Sequence, residues 1–163
     1  MIRYSTNIKN EKTFYTDSNG LYAMKRTAGE YGRYIECNYY PLTRFMYLQD
    51  QTSRVTVLVD RAQGGTSPSE GIMEVMFERI TTTDDKRGSN EVLSESKPIN
   101  VLHHLVFENL DPSDPNKNLE FRKAQIEMDS PLLVIALKPK VEGMKFRLKT
   151  ESLIPNSKNE FVK

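Results

Sequence analysis

The sequence has one cysteine and no tryptophan among its 163 residues, and its charges nearly balance. The single thiol, Cys37, can neither close an internal disulfide nor supply a zinc cage. No stretch approaches the roughly 18 consecutive apolar residues that a membrane helix requires. The 23 lysines and arginines stand against 22 aspartates and glutamates, so no excess of charge points to nucleic acid or to an anionic membrane surface. We therefore expect neither nucleic acid nor a membrane as a partner.

The sequence does contain enough apolar material for one domain of ordinary size. Hydrophobic residues make up 37% of the chain, and they include 8 tyrosines, 7 phenylalanines and 7 methionines. They occur in short runs bounded by turn-forming residues, which is typical of strands. The pattern predicts a mainly β domain, an antiparallel β-sandwich with at most one short helix.

The first half of the chain carries two clear strand signals. Residues 12–17 and 21–26 flank an Asn19-Gly20 turn and predict a hairpin, because asparagine and glycine both accept positive φ. Residues 39–48 predict one strand that begins at an edge or a bulge, since Pro41 cannot donate to a ladder.

The later segments alternate between strand and loop signals. The β-branched run 54–60 is the best candidate for a central strand. Residues 63–71 have the composition of a loop, and we expect Gly64 and Gly65 to form a tight crossing between strands. A phosphate-binding loop is excluded because no helix with a nearby lysine follows. Further strands are predicted at 72–80, 99–110, 132–137 and 144–148, and a single helix at 119–128.

Two adjacent histidines, His103 and His104, lie on a predicted strand. Neighbouring side chains on a strand point to opposite faces, so this pair cannot hold one metal ion. The chain has only these 2 histidines, and we predict no metal site in it. We expect one of them to be packed and hydrogen-bonded and the other to be solvated.

Two adjacent aspartates, Asp84 and Asp85, leave two interpretations open. Paired carboxylates suit glycosidase chemistry if another carboxyl group lies across a cleft. Aspartates ahead of Lys86, Arg87 and Gly88 are also common in hairpin loops, because Asp accepts local backbone hydrogen bonds and Gly takes the left-handed conformation. Local chemistry favours the turn.

Taken in order, these segments resemble the C-terminal β-domain of glycoside hydrolase family 38 α-mannosidases, most closely the lysosomal type. The resemblance covers residues 13–137 and is carried by six motifs in the same order and spacing: FYTDSNG at 14–20, MKR at 24–26, NYYP at 38–41, TVLVDRAQGGTS at 56–67, EVM at 74–76 and DDKRG at 84–88. It implies an incomplete sandwich of the galactose-mutarotase-like type. Residues 1–11 are then an N-terminal lead-in, 12–148 the domain fragment, and 149–163 a tail that continues into strands not present here.

The resemblance also implies a function for the parent enzyme, which is zinc-dependent, retaining hydrolysis of terminal α-mannose from glycans. The resemblance places the zinc ligands and the catalytic residues in an N-terminal barrel that this chain lacks, so it implies no catalytic residue here. We therefore expect the chain alone to bind no cofactor and to be inactive. Its implied partners are that barrel and a mannose-containing glycan, in the lysosome or another compartment of the secretory pathway.

Within the chain, the resemblance implies that the loop at 84–88 approaches the sugar beside the catalytic pocket. The implied substrate-binding residues are Arg87 and Asp85, and the residues implied to support the loop are Asp84, Gly88, Gly64 and Gly65. The alternative is a free-standing carbohydrate-binding or interaction β-sandwich. Exposed aromatic platforms are typical of carbohydrate-binding sheets, and the absence of tryptophan speaks against that alternative.

Overall fold

The computed structural model describes residues 1–30, 32, 34–77, 88, 97–114 and 118–131. The chain divides into one compact unit, Met1–Asp129, and a second, Ser130–Lys163. All of the described regular elements lie in the first unit, and they comprise a short 3₁₀ helix at Ile35–Asn38, one α-helix and nine strands. These are β1 (Ile2–Ser5), β2 (Thr13–Asp17), β3 (Ala23–Thr27), β4 (Tyr40–Leu42), β5 (Phe45–Gln49), β6 (Ser53–Val59), β7 (Gln63–Thr66), β8 (Ile72–Met76), β9 (His103–Asn109) and α1 (Glu120–Asp129).

The nine strands form two sheets in which every pairing is antiparallel. One sheet has four strands in the order β1-β8-β7-β4, and the other has five in the order β3-β2-β5-β6-β9. The two sheets pack face to face, because buried side chains from both contribute to one apolar cluster. The predicted antiparallel β-sandwich with one short helix is confirmed.

Strand β6 lies inside the five-stranded sheet and has an apolar side chain on both faces. Val55, Val57 and Val59 point towards the four-stranded sheet, where they pack with residues such as Met73 of β8. Leu58 points to the opposite face and joins a second cluster that α1 covers. A strand buried on both faces needs a nearly continuous apolar run, which is why the β-branched segment occupies this place.

Helix α1 covers the outer face of the five-stranded sheet. Its Phe121 ring packs edge-on against Phe45, with the ring centroids 5.3 Å apart. At the start of the helix, a buried ion pair joins Arg54 of β6 to Glu108 of β9, with 2.8 Å between Nε and Oε2. The Glu108 carboxylate also accepts a hydrogen bond from the backbone nitrogen of Phe121. The ion pair therefore ties the first turn of the helix to both strands.

The prediction of one strand across residues 39–48 is wrong. The segment forms β4 and β5, which belong to different sheets. The chain turns between them because the buried carboxylate of Asp17 accepts hydrogen bonds from the backbone nitrogens of Thr43, Arg44 and Phe45. The expectation that Pro41 lies at an edge is confirmed, since β4 is the outermost strand of its sheet.

The predicted hairpin exists as β2 and β3, but its turn differs from the expectation. Gly20 has a φ of 78°, whereas Asn19 is not among the residues with positive φ. The Asn19 side-chain oxygen instead accepts hydrogen bonds from the backbone nitrogens of Leu21 and Tyr22. The side chain thus takes the place of a second left-handed residue.

The helix predicted at 119–128 is confirmed as Glu120–Asp129. The predicted strand at 99–110 corresponds to His103–Asn109, and the one at 72–80 to Ile72–Met76. The strands predicted at 132–137 and 144–148 lie outside the described residues.

Candidate functional site

The residues predicted to contact sugar belong to the loop at 84–88. Asp84, Asp85 and Arg87 lie outside the described residues. Gly88 is exposed, and a Cβ atom added to it would have no heavy atom within 4 Å. The role of this loop therefore stays a prediction.

Gly64 and Gly65 lie within strand β7, so the prediction of a loop at this point is wrong. Gly65 faces the interior, where an added Cβ atom would lie 2.9 Å from the sulfur of Met46. Gly64 faces the outside of the sheet, where an added Cβ would lie 3.8 Å from Cδ1 of Tyr39. The glycine at 65 lets the two sheets approach closely, and this packing favours a strand in spite of the loop-like composition.

A chain of hydrogen bonds centred on His103 connects the two sheets. The hydroxyl of Tyr4 in β1 lies 2.7 Å from Nδ1 of His103, and Oε1 of Gln63 in β7 lies 2.9 Å from Nε2. The glutamine oxygen can only accept, so Nε2 carries the proton and Nδ1 accepts from the tyrosine hydroxyl. Burial lowers the pKa of His103, opposed by the charge of Asp60. Both observations fit a neutral imidazole.

The same histidine anchors the end of strand β8. The ring of Phe77, the residue after β8, stacks on the His103 ring with centroids 5.5 Å apart and an interplanar angle of 21°. The neighbouring His104 is exposed. The expectation of one packed and one solvated histidine is thus confirmed. The contact fixes the point from which the chain continues towards the predicted sugar loop.

The turn between β6 and β7 is held by an arginine. Arg61 pairs with the carboxylate of Asp60 at 3.1 Å and donates a hydrogen bond to the backbone oxygen of Asn100 at 2.8 Å. The hydrogen bond from Arg61 is the main cause of the lowered pKa of Asp60. The backbone nitrogen of Asp60 also donates to the oxygen of Leu102. The turn is therefore fastened to the segment that leads into β9.

A cleft of about 840 Å³ lies on the outer face of the four-stranded sheet, and sequence reasoning missed it. Its floor includes Glu74 of β8, whose side chain points away from the core because Met73 and Val75 on either side point inwards. Arg3 of β1 lies directly opposite Glu74 in the strand pairing. The sequence contains one indication of this cleft, because Glu74 stands between two residues whose side chains point into the core.

The buried Glu74 carboxylate organises this cleft. Its Oε1 accepts a hydrogen bond from Nε of Arg3 at 2.7 Å, and its Oε2 accepts one from the hydroxyl of Tyr39 at 3.0 Å. Burial, with the hydrogen bond and negative charge of Glu74, raises the pKa of Tyr39 to about 12. The Tyr39 hydroxyl therefore stays protonated near neutral pH and donates to the carboxylate.

The described ranges contain neither a cluster of metal-ligating side chains nor a membrane-spanning helix. Within them, no three His, Cys, Asp or Glu side chains come close enough together to hold a metal ion. No helix among the described residues has the length and apolar character needed to cross a bilayer. The described part of the chain therefore offers no ligand set that fits the zinc implied for the parent enzyme.

The architecture defines the class of the protein, which is an antiparallel β-sandwich domain. Its two sheets are joined by the hydrogen bond between His103 and Gln63, a residue of the motif at 56–67. Residues 1–87 match the model of the glycosyl hydrolases family 38 C-terminal domain. Because the match covers more than half of the chain, the protein belongs to this family.

Relatives with the same domain are named α-mannosidases. The chain is 42% identical over 105 residues to a probable alpha-mannosidase of Arabidopsis thaliana, covering 60% of this chain and 10% of that protein. It is 38% identical over 112 residues to alpha-mannosidase 2 of Spodoptera frugiperda, covering 67% and 10%. It is 33% identical over 143 residues to the lysosomal alpha-mannosidase of Bos taurus, covering 82% and 14%. The chain thus spans about a tenth of the length of the curated relatives it matches.

Proposed function

We propose that this chain is a non-catalytic β-domain of a zinc-dependent, retaining α-mannosidase. In this role it packs on the catalytic barrel and helps to enclose the terminal mannose of a glycan. The family match supports the proposal, since this C-terminal domain occurs in relatives that carry the α-mannosidase name. The zinc belongs to the barrel, and a lysosomal relative supports a compartment of the secretory pathway.

Within this role, Arg87 and Asp85 contact the sugar while Asp84 and Gly88 shape the turn that presents them. The stacking of Phe77 on His103 supports this arrangement, because it fixes the chain ten residues ahead of Arg87. Gly64 and Gly65 contribute by packing, as the strand next to β8. A guanidinium suits this position because it presents several N–H donors in a rigid fork to hydroxyl or carboxylate oxygens.

The 163-residue chain alone is expected to show no α-mannosidase activity, with or without added zinc. Its two histidines are adjacent on β9, where their side chains cannot converge on one ion. The measurement is hydrolysis of an aryl α-mannoside by the purified chain, with the full-length enzyme as the positive control. Zinc-dependent turnover by the chain alone would contradict a non-catalytic role.

In the full-length enzyme, Arg87→Ala is expected to lower kcat/KM by about 10- to 100-fold, the effect of losing a charge-assisted hydrogen bond. If the backbone carbonyl of Arg87 makes the contact instead, Gly88→Val has the larger effect, because a β-branched residue distorts the turn. Lys86→Ala is the matched control, one residue away in the same turn. Unchanged kinetics for both Arg87→Ala and Gly88→Val in a stably folded enzyme would show that the loop does not touch substrate.

A further inference from the structure

Strand β9 is the outermost described strand on one side of the five-stranded sheet. Proteins commonly keep such edges from pairing by making them very short or by placing proline or charged side chains, lysine above all, on them. The other three outer strands of the described sheets follow this rule, since β1 has four residues and contains Arg3, β3 contains Lys25 and β4 contains Pro41. Strand β9 has seven residues, and none of them is lysine, arginine or proline. Its edge therefore lacks the usual protection.

We propose that the edge of β9 pairs, antiparallel, with the same edge of a second copy of this chain, independently of any role beside a catalytic barrel. On its other side β9 bonds to β6, and the backbone oxygen of Leu102 accepts from the nitrogen of Asp60 at the end of this pairing. Successive residues of an antiparallel strand turn their N–H and C=O groups to opposite sides. The groups of Leu105 and Phe107, three and five residues after Leu102, therefore point away from β6, and no other described strand pairs with them.

Leu105 and Phe107 also present apolar side chains beside this edge. They lie opposite Val57 and Val55 of β6, so they point to the same side of the sheet as these core residues. Unlike the two valines, Leu105 is 43% exposed and Phe107 is 71% exposed. Two exposed apolar side chains beside outward-pointing backbone groups favour the addition of a strand.

The edge of β9 is complementary to itself about Val106. In an antiparallel pairing centred on this residue, Leu105 of each copy lies opposite Phe107 of the other. Both residues point their N–H and C=O groups outwards, so each such pair exchanges two backbone hydrogen bonds. Their side chains lie on one face and pack across the axis. Because the same surface is used by both copies, the contact closes as a dimer and does not grow into a fibre.

The charges on β9 do not oppose this pairing. Glu108 of each copy lies opposite His104 of the other, so the two carboxylates do not face each other. Each Glu108 carboxylate is also paired with Arg54 of its own chain, with 2.8 Å between Nε and Oε2. Like charges directly opposite each other destabilise a strand pair, and this register avoids them.

The first test is sedimentation equilibrium of the 163-residue chain from micromolar to millimolar concentration, where a reversible equilibrium between monomer and dimer is expected. Phe107→Lys is expected to raise the dissociation constant by about tenfold or more, because a lysine on an edge disfavours pairing. Tyr22→Lys is the matched control, at an aromatic residue that is 69% exposed beside β3, and it is expected to leave the constant unchanged. A monomer at all concentrations, or equal effects of the two variants, would overturn the proposal.

Amide hydrogen exchange in the wild-type chain tests the register without any variant. The N–H group of Val106 bonds to β6 in each copy, whereas those of Leu105 and Phe107 point away from it. Exchange at Leu105 and Phe107 is therefore expected to slow as the concentration rises, while exchange at Val106 is slow throughout. Slow exchange at all three residues in dilute monomer would show that another segment of the chain pairs with β9. Fast exchange at Leu105 and Phe107 in the dimer would place the contact elsewhere, and either result would refute the inference.

Discussion

Replacement of Gly71 by alanine is expected to lower the free energy of unfolding by about 3–4 kcal/mol, which is near the upper end for a single substitution. Gly71 has a φ of 71°, a conformation that L-residues adopt only with strain. An added Cβ atom would lie 2.4 Å from the backbone oxygen of Thr6, well inside van der Waals contact. Urea denaturation of the purified chain measures the effect.

The backbone around Gly71 cannot move aside to relieve this contact. Its oxygen accepts hydrogen bonds from both the backbone nitrogen and the hydroxyl of Thr6. Its nitrogen donates to the side-chain oxygen of Asn10, which is itself buried. A shift at Gly71 would therefore break hydrogen bonds on both sides of the turn.

Gly29 provides a matched control for the Gly71 substitution. Its φ of 80° is similar, but an added Cβ would have no heavy atom within 4 Å. Gly29→Ala therefore tests backbone strain without the clash, and about 1 kcal/mol of destabilisation is expected. Equal losses in the two variants would show that the contact with Thr6 contributes nothing.

Replacement of Asp17 by asparagine is expected to destabilise the chain by about 2–4 kcal/mol, because a buried charged acceptor with several donors is lost. The side chain is fully buried. One carboxylate oxygen accepts from three backbone nitrogens between Thr43 and Phe45, and the other accepts from the nitrogen of Gly20. An asparagine amide would place an N–H₂ group against one of these donors, so a buried N–H would lose its partner.

Asp50 supplies the comparison for Asp17, since it also accepts backbone hydrogen bonds in a turn. Its carboxylate accepts from the nitrogens of Thr52 and Ser53, and these bonds are among the causes of its lowered pKa. Asp50 lies at the surface, where water replaces lost partners, so Asp50→Asn is expected to cost about 1 kcal/mol or less. Thermal and urea unfolding of both variants give the comparison. A loss in Asp17→Asn no larger than that in Asp50→Asn would refute the role assigned to the buried carboxylate.

Elements determined by local sequence were predictable. The run of β-branched residues marked β6, and the hairpin of β2 and β3 followed from its turn residues. The break between β4 and β5 was not predictable, because it depends on Asp17, a residue 28 positions away from Phe45. Strand β7 was missed for a similar reason. Two glycines indicate a loop locally, and only the packing of Gly65 against Met46 across the sandwich favours a strand.

The candidate site shows the same division between local and distant determinants. Alternation along a strand was sufficient to predict one packed and one solvated histidine at 103 and 104. The partners of His103 were not predictable, because Tyr4 and Gln63 are 99 and 40 residues away in sequence. The cleft was missed because it is assembled from five separate parts of the chain, and no one of them carries a ligand-binding motif.

The pairing of β1 with β8 has a consequence for folding during synthesis. The facing residues Arg3 and Glu74 are separated by 71 positions. At a translation rate of roughly 5–20 residues per second, the β1 segment waits about 4–14 s before its partner strand has been made. The hairpins of β2 with β3 and of β5 with β6 need no such delay, because their strands are neighbours in sequence. Strand β1 is therefore made well before its partner strand and is among the last of its sheet to pair.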